Sequence, residues 1–239
     1  MFTVFQNDSG LNHLSDHTFE HSVSLRAREA SKMPLRASLE PHMPWLRHSR
    51  GATRPPEYMW SHIVDFFACA AHHGWSDMDT SIRSPDELKL LGEATMEHVL
   101  WRFSQLFAVD PALRLGLTGM LTHITSALLP APHDAATPHV TLLSGHDVTT
   151  FPLLVFLHAC SGLPPPSVWP GYASFVVLHL HDQDLVWSFQ NPYPFPGNAP
   201  HASKSIGAWS ETTHHVPIEY FNSCSASLLA IPAATSEES

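Results

Sequence analysis

"PHVTLLSGHDVTTFPLLVFL", residues 138–157, decides how the chain is read. An apolar run, Val140-Thr141-Leu142-Leu143, ends in Ser144-Gly145-His146-Asp147. A Thr pair, Thr149-Thr150, then opens a second apolar run. The first run predicts a strand over 139–145. Its near-continuous apolar character predicts burial on both faces, as in a parallel or mixed sheet. The second run predicts a helix over 149–162, with Pro152 in its first turn and Gly162 near its end. A His-Asp pair therefore stands where a strand gives way to a helix.

Downstream, "GLPPPSVWPG" (162–171) reads as a rigid loop. "YASFVVLHLHDQDLVWSFQN" (172–191) predicts two strands joined at Asp182-Gln183-Asp184, a hairpin. From Pro192 the chain reads as Pro-rich loop, and 231–239 as a disordered tail. Upstream, "YMWSHIVDFFACAAHH" (58–73) sets Trp60, Ile63, Val64, Phe67 and Ala71 at helical spacing, with Gly74 as the stop. A second helix starts at Ser84-Pro85 with acids in its first turn, and Leu88, Leu91, Met96, Val99, Leu100, Phe103 and Phe107 line one side. A third starts at Asp110-Pro111 and stops at 130–138. Residues 1–57 show neither helical nor strand period and read as an irregular Pro/Arg-rich segment. The order of helices, strand, helix and hairpin predicts an α/β domain over 58–230, a helical subdomain followed by the second half of a sheet.

Composition narrows the functional classes. The chain has 239 residues, 44% hydrophobic, and a net charge of −10, which argues against a nucleic-acid binder with its basic stripe. Three cysteines, Cys69, Cys160 and Cys224, lack CxxC spacing and do not read as a zinc site. An odd count permits one disulfide and one free thiol. The N-terminus lacks a basic stretch followed by an apolar one, so no signal peptide is expected. No apolar run has the length of a membrane span.

In open α/β sheets ligands bind beyond the carboxyl ends of strands, where His146 and Asp147 are expected. Gly145 permits a close backbone approach. Thr149 and Thr150 stand at the expected helix start, where free N–H groups favour anions. A His donor, a carboxylic acid and a helix N-terminus around one ligand suit a phosphate ester. His146 would bond a phosphoryl oxygen, and Asp147 would protonate the leaving oxygen as general acid. For the tripeptide alone, a capping role for Asp147 is also sufficient. Ser144, His146 and Asp147 lie too close together to form a triad relay, and no G-x-S-x-G elbow is present. His179 and His181 share a strand face, which reads as solvent-facing alternation rather than a metal pair.

"LLSGHDVTT", followed about 25 residues later by "GYASFVVLHLH", resembles the histidine acid phosphatase family, branch 2 of the histidine phosphatase superfamily. Pro170-Gly171-Tyr172-Ala173-Ser174 is similar to its Pro-Tyr-Ala-Ser element. "LRLGLTGMLTHI" (113–124) and "WSHIVDFFACAAHHGW" (60–75) look like two of its helical blocks. The resemblance covers roughly residues 58–191. It implies the C-terminal part of an αβα sandwich, a phosphomonoester substrate, and neither metal nor organic cofactor. It also implies His146 as a phosphate ligand, Asp147 as proton donor, and often a secretory or lysosomal location.

The family's nucleophile lies in an Arg-His-Gly-x-Arg-x-Pro motif, of which this sequence has no intact copy. The nearest stretch is "LRHSRGATRPP" (46–56), where Gly does not directly follow His. It offers His48 as nucleophile and Arg47 and Arg50 as phosphate-holding arginines; a Pro/Arg-rich surface loop is the plainer reading. The missing motif reads as the C-terminal portion of a longer fold or a degenerate relative. Phe175 stands where the family often carries a cysteine bonded to the Cys69 position, so that bridge is not expected. Two functions stay open: a phosphomonoesterase, or an inactive phosphate-binding or interaction module on the same fold. An unrelated α/β protein is the third possibility.

Overall fold

The Ser84–Glu87 pair fixes where the longest helix begins. The Glu87 N–H donates to Ser84 Oγ at 3.3 Å, and the Ser84 N–H donates to Glu87 Oε2 at 2.9 Å. This reciprocal capping box satisfies two donors that a helix start leaves free. The computed structural model describes residues 17–18, 21–39, 43, 60, 63–67, 69–70, 84–128, 140–192 and 213–230. Within them the elements run α1 (Val23–Ser31), α2 (Met33–Leu39), α3 (Pro85–Phe107), α4 (Asp110–Leu128), α5 (Asp147–Cys160), β1 (Phe175–His181), β2 (Asp184–Gln190), β3 (His214–Pro217) and α6 (Ile218–Ala230). The architecture is mixed: helices packed with a small antiparallel sheet.

The helical stripes read from the sequence are the ones that pack. Leu88, Met96, Val99 and Phe107 of α3 are buried. So are Trp60, Ile63, Val64 and Phe67, which lie among helical residues 60, 63–67, 69 and 70. Gly92 lets these helices meet: a Cβ there would stand 3.1 Å from Phe67 Cγ. Ala71 and Gly74 lie outside the described residues. On α4, Leu113, Leu117, Leu121 and Ile124 recur at helical spacing and are buried.

Helix α5 differs from expectation at its start. It begins at Asp147, with His146 as N-cap, so Pro152 falls in the second turn. There it removes the N–H that would bond the Val148 carbonyl. Its end is as expected. Gly162 adopts φ 65, Leu163 N–H donates to His158 O at 2.8 Å, and Gly162 N–H to Ala159 O at 3.1 Å. This is a Schellman stop, which needs a left-handed residue.

The three strands form one sheet in the order β1-β2-β3, antiparallel throughout. The expected hairpin is present: His181 pairs with Asp184, and Asp182 turns the chain at φ 55. Central β2 buries Leu185, Val186 and Trp187 on both faces, while edge strand β1 keeps His179 and His181 exposed.

Three expectations are corrected. Residues 140–145 form no strand and are not buried. They are irregular, with Val140 92% and Leu142 90% exposed. A strand requires a neighbour to pair its N–H and C=O groups, and the described strands pair only with one another. The stretch after Pro192 is not all loop. β3 pairs with β2, and α6 buries Phe221, Ser225 and Leu228 at helical spacing. Nor is 1–57 irregular throughout, since α1 and α2 lie within it and Leu39 and Met43 join the core. The tail beyond Ala230 lies outside the described residues.

Helix α1 buries none of its residues fully; Leu25 packs against the core at partial burial, and ion pairs add to that hold. Glu29 pairs with Arg102, which is 3% exposed, and lies 3.1 Å from Nε2 of the fully buried His98. Arg28 reaches Glu97 at 2.9 Å and lies 4.7 Å above the Trp101 ring. Burial alone would push the Glu29 carboxyl up. His98 and Arg102 more than offset it and hold the pKa below the ordinary 4.5.

Among the described residues no helix is long and apolar enough to cross a membrane.

Two outcomes are expected in urea unfolding. Ser84→Ala should cost about 1 kcal/mol through loss of the cap. Glu29→Gln should cost roughly 2 kcal/mol at pH 7, between values for exposed and fully buried pairs. A depressed carboxylate stabilises above its unfolded pKa, and the contribution disappears as pH falls through the folded value. The gap between wild type and Glu29→Gln should therefore narrow below about pH 4.5. A gap that stays constant from pH 7 to pH 3 would remove Glu29 from this role.

Candidate functional site

His146 opens α5 with an extended backbone, φ −99 and ψ 169, and its side chain makes no capping hydrogen bond. The imidazole is left exposed, one residue before the half-buried Asp147. The carboxylate of Asp147 is held on both oxygens. Val148 N–H donates to Oδ1 at 2.8 Å, and the indole N–H of Trp169 donates to Oδ2 at 2.8 Å.

Trp169 is positioned by its own packing. It is 2% exposed, stacked on Phe151 of α5 with centroids 4.8 Å apart, and tilted against Phe103 of α3 at 4.8 Å. Its carbonyl accepts from Asn191 Nδ2 at 3.1 Å, and Asn191 Oδ1 accepts from Gly171 N–H at 2.9 Å. Asn191 follows β2, so one amide ties the Pro-rich loop to the sheet.

The loop then turns sharply. Ser174 N–H donates to Gly171 O at 3.2 Å, with Ala173 at φ 54, a left-handed backbone that costs an alanine about 1 kcal/mol. The turn presents Tyr172 beside the upstream helical residues, where its hydroxyl lies 3.5 Å from Cys69 Sγ. Burial, the Cys69 thiol and the charges of Asp65 and Asp147 push the Tyr172 phenol up, so it keeps its proton. Three blocks distant in sequence thus meet: Asp65 and Cys69, His146 and Asp147, and the loop from Trp169 to Tyr172.

The expected anion cradle at the helix start is narrower than the sequence implies. Thr149 is buried, and the N–H groups of Thr149 and Thr150 both donate to the His146 carbonyl at 2.9 Å. Thr149 therefore packs inward beneath Gly145, where an added Cβ would meet it at 3.2 Å. The groups left toward solvent are the exposed His146 and the remaining lone pairs of the half-buried Asp147. They can donate to, and exchange a proton with, an oxygen-rich ligand. Arg47, His48 and Arg50 lie outside the described residues.

The sequence did not mark Trp169 or Asn191 as site residues. A Trp directly before Pro170-Gly171 was the visible signal, but nothing local revealed where its N–H would point. No group of three or more His, Cys, Asp or Glu placed to hold a metal ion occurs among the described residues. All three cysteines are free thiols.

A cavity of about 200 Å³ opens elsewhere, lined by Leu154, His158, Val168, Trp187, Phe189 and His214 among others, without His146 or Asp147. Burial and the neighbouring His158 and His215 push His214 below its ordinary value. The lining is largely apolar and holds no Arg or Lys, which suits a phosphate poorly. No family model, curated protein or solved structure matches the chain.

The Trp169–Asp147 bond is measurable by a double-mutant cycle. Trp169→Phe keeps a ring between Phe151 and Phe103 and removes the donor; Asp147→Ala removes the acceptor. The coupling energy from urea unfolding should be about 1.5–3 kcal/mol, the range for a hydrogen bond to a charged group. A coupling near zero would mean that the bond does not hold the site.

Proposed function

We propose that the chain handles phosphate monoesters in the manner of the histidine acid phosphatases, with His146 binding a phosphoryl oxygen and Asp147 as proton donor. The observation that carries this reading is the outward-facing His146–Asp147 pair, whose carboxylate is oriented by Trp169. The site is assembled from three of the four blocks that carry the resemblance: the Cys69 helix, the His146-Asp147 turn and the Tyr172 loop.

In this reaction a nucleophilic histidine attacks phosphorus, and the ester P–O bond breaks. Asp147 delivers its proton to the departing alkoxide. Water then attacks the phosphohistidine, giving its proton back to Asp147 and releasing inorganic phosphate. With Trp169 on one carboxylate oxygen and Val148 on the other, the proton must occupy a remaining lone pair, and His146 lies adjacent to hold the phosphate. His48 is the candidate nucleophile, with Arg47 and Arg50 to cancel phosphoryl charge. A second reading rests on the disturbed order of "LRHSRGATRPP": the chain binds phosphate through His146 without turning over esters.

Hydrolysis of p-nitrophenyl phosphate by the purified chain, from pH 4 to pH 7, separates the two. For an enzyme, Asp147→Asn should lower kcat by about 10²–10⁴, and His146→Ala should lower kcat/KM by about 10–100 through loss of a charged hydrogen bond. His48→Ala should abolish turnover. A folded chain that binds phosphate through His146 but releases no nitrophenol supports the second reading. A folded chain with neither binding nor turnover refutes both.

A further inference from the structure

The cavity beside the loop that leads into Trp169 is built from separate segments. Leu154 and His158 lie one turn apart on the same face of α5. Trp187 and Phe189 share one face of β2. His214 of β3 pairs across from Trp187, and Val168 lines the space from the loop. The volume is about 200 Å³. An apolar cavity of about 150 Å³ holds one benzene ring, whereas sites for drug-sized molecules start at about 300 Å³. The space therefore suits a single ring.

The polar atoms of these walls are set by geometry. Trp187 is 1% exposed, and its ring lies 4.4 Å from that of His214, tilted by 33°. The His158 ring stands 5.5 Å from Trp187 and 6.5 Å from His214, between centroids. The Trp187 N–H donates to Ser161 Oγ at 3.0 Å and is not available to a ligand. His158 Nδ1 lies 2.6 Å from the Pro164 carbonyl, which can only accept, so Nδ1 carries the proton. In the neutral ring Nε2 is then an acceptor, and no described residue donates to it. Burial, then His158 and His215, hold His214 below its ordinary value, so it is uncharged at neutral pH. Among the described residues no Arg or Lys lines the cavity, and an anion finds no counter-charge there.

We propose that this cavity binds a monocyclic phenol, its ring against Leu154, Val168 and Phe189 and its hydroxyl on the two imidazoles. The hydroxyl donates to His158 Nε2 and accepts from His214, which in its neutral form carries one N–H. Ring contacts with Trp187 and Phe189 add to the burial of apolar surface. A bare ring would displace water and leave Nε2 unpaired, and a carboxylate would set a second acceptor against it. This inference is independent of the phosphate site, because neither His146 nor Asp147 lines the cavity.

The test is isothermal titration calorimetry of the full chain at neutral pH with phenol, fluorobenzene and benzoate. Fluorobenzene has nearly the size of phenol and no donor. Phenol should bind at one site, about fivefold more tightly than fluorobenzene, which is the effect of one neutral hydrogen bond. Benzoate should not bind. His158→Phe keeps a ring and should lower phenol to the fluorobenzene level while fluorobenzene binding is unchanged. Val168→Phe, outside α5, should fill the cavity and remove binding of both. Variants are compared only where their circular dichroism matches the wild type, and the three-ligand comparison on the wild-type chain stands whichever variant folds. A folded chain that takes up no phenol at millimolar concentration would overturn the proposal. So would equal affinity for phenol and fluorobenzene, tighter binding of benzoate, or phenol binding that survives Val168→Phe.

Discussion

One indole holds the site and much of the architecture around it. Trp169 lies between Phe103 of α3 and Phe151 of α5 and donates its N–H to Asp147. Its backbone is pinned by Asn191 at the end of β2. A long helix, the helix that bears the His-Asp pair and the sheet are thus joined through a single residue. Burying the indole N–H without a partner would be costly, and the Asp147 carboxylate supplies that partner. The requirement of the core and the orientation of the site are the same interaction.

The N-terminal helix is attached by different means. Helix α1 offers the core a single partly buried leucine, Leu25, and the strongest part of its hold is a carboxylate between a buried guanidinium and a buried imidazole. Such an attachment depends on pH, whereas the Leu and Phe contacts of α3 and α4 do not. The contrast explains why α3 and α4 are evident in the sequence and α1 is not: periodic burial leaves a trace in composition, and a three-residue ionic contact across 73 positions leaves none.

Strands and helices were legible to different degrees for a similar reason. The hairpin could be read because its two strands are neighbours in sequence and its polar turn lies between them. The apolar run at 139–145 reads as a buried strand, yet Val140 and Leu142 are solvent-exposed. Apolar character states what a segment would gain from burial, not whether a partner stands beside it. α6 was obscured by the Pro-rich stretch before it, although Phe221, Ser225 and Leu228 carry the spacing of a packed face. Within the site, His146 and Asp147 were visible as a motif. Thr149 was expected to meet a ligand and instead packs inward, because the helix starts two residues earlier than its Thr pair indicates.

By itself the sequence determined the local elements: the cap at Ser84, the stop at Gly162, the turn at Asp182, the stripe of α3 and the helical character of α4 and α5. Each is set by residues within a few positions of one another, so short-range sterics and periodicity suffice. It also set the His-Asp pair at a helix start. Only the tertiary structure decided which groups surround that pair. The indole of Trp169, the Tyr172–Cys69 contact and the Phe156–Phe221 contact are meetings between distant segments. They are decided by how helices and loops close over a shared core, and no local rule encodes that.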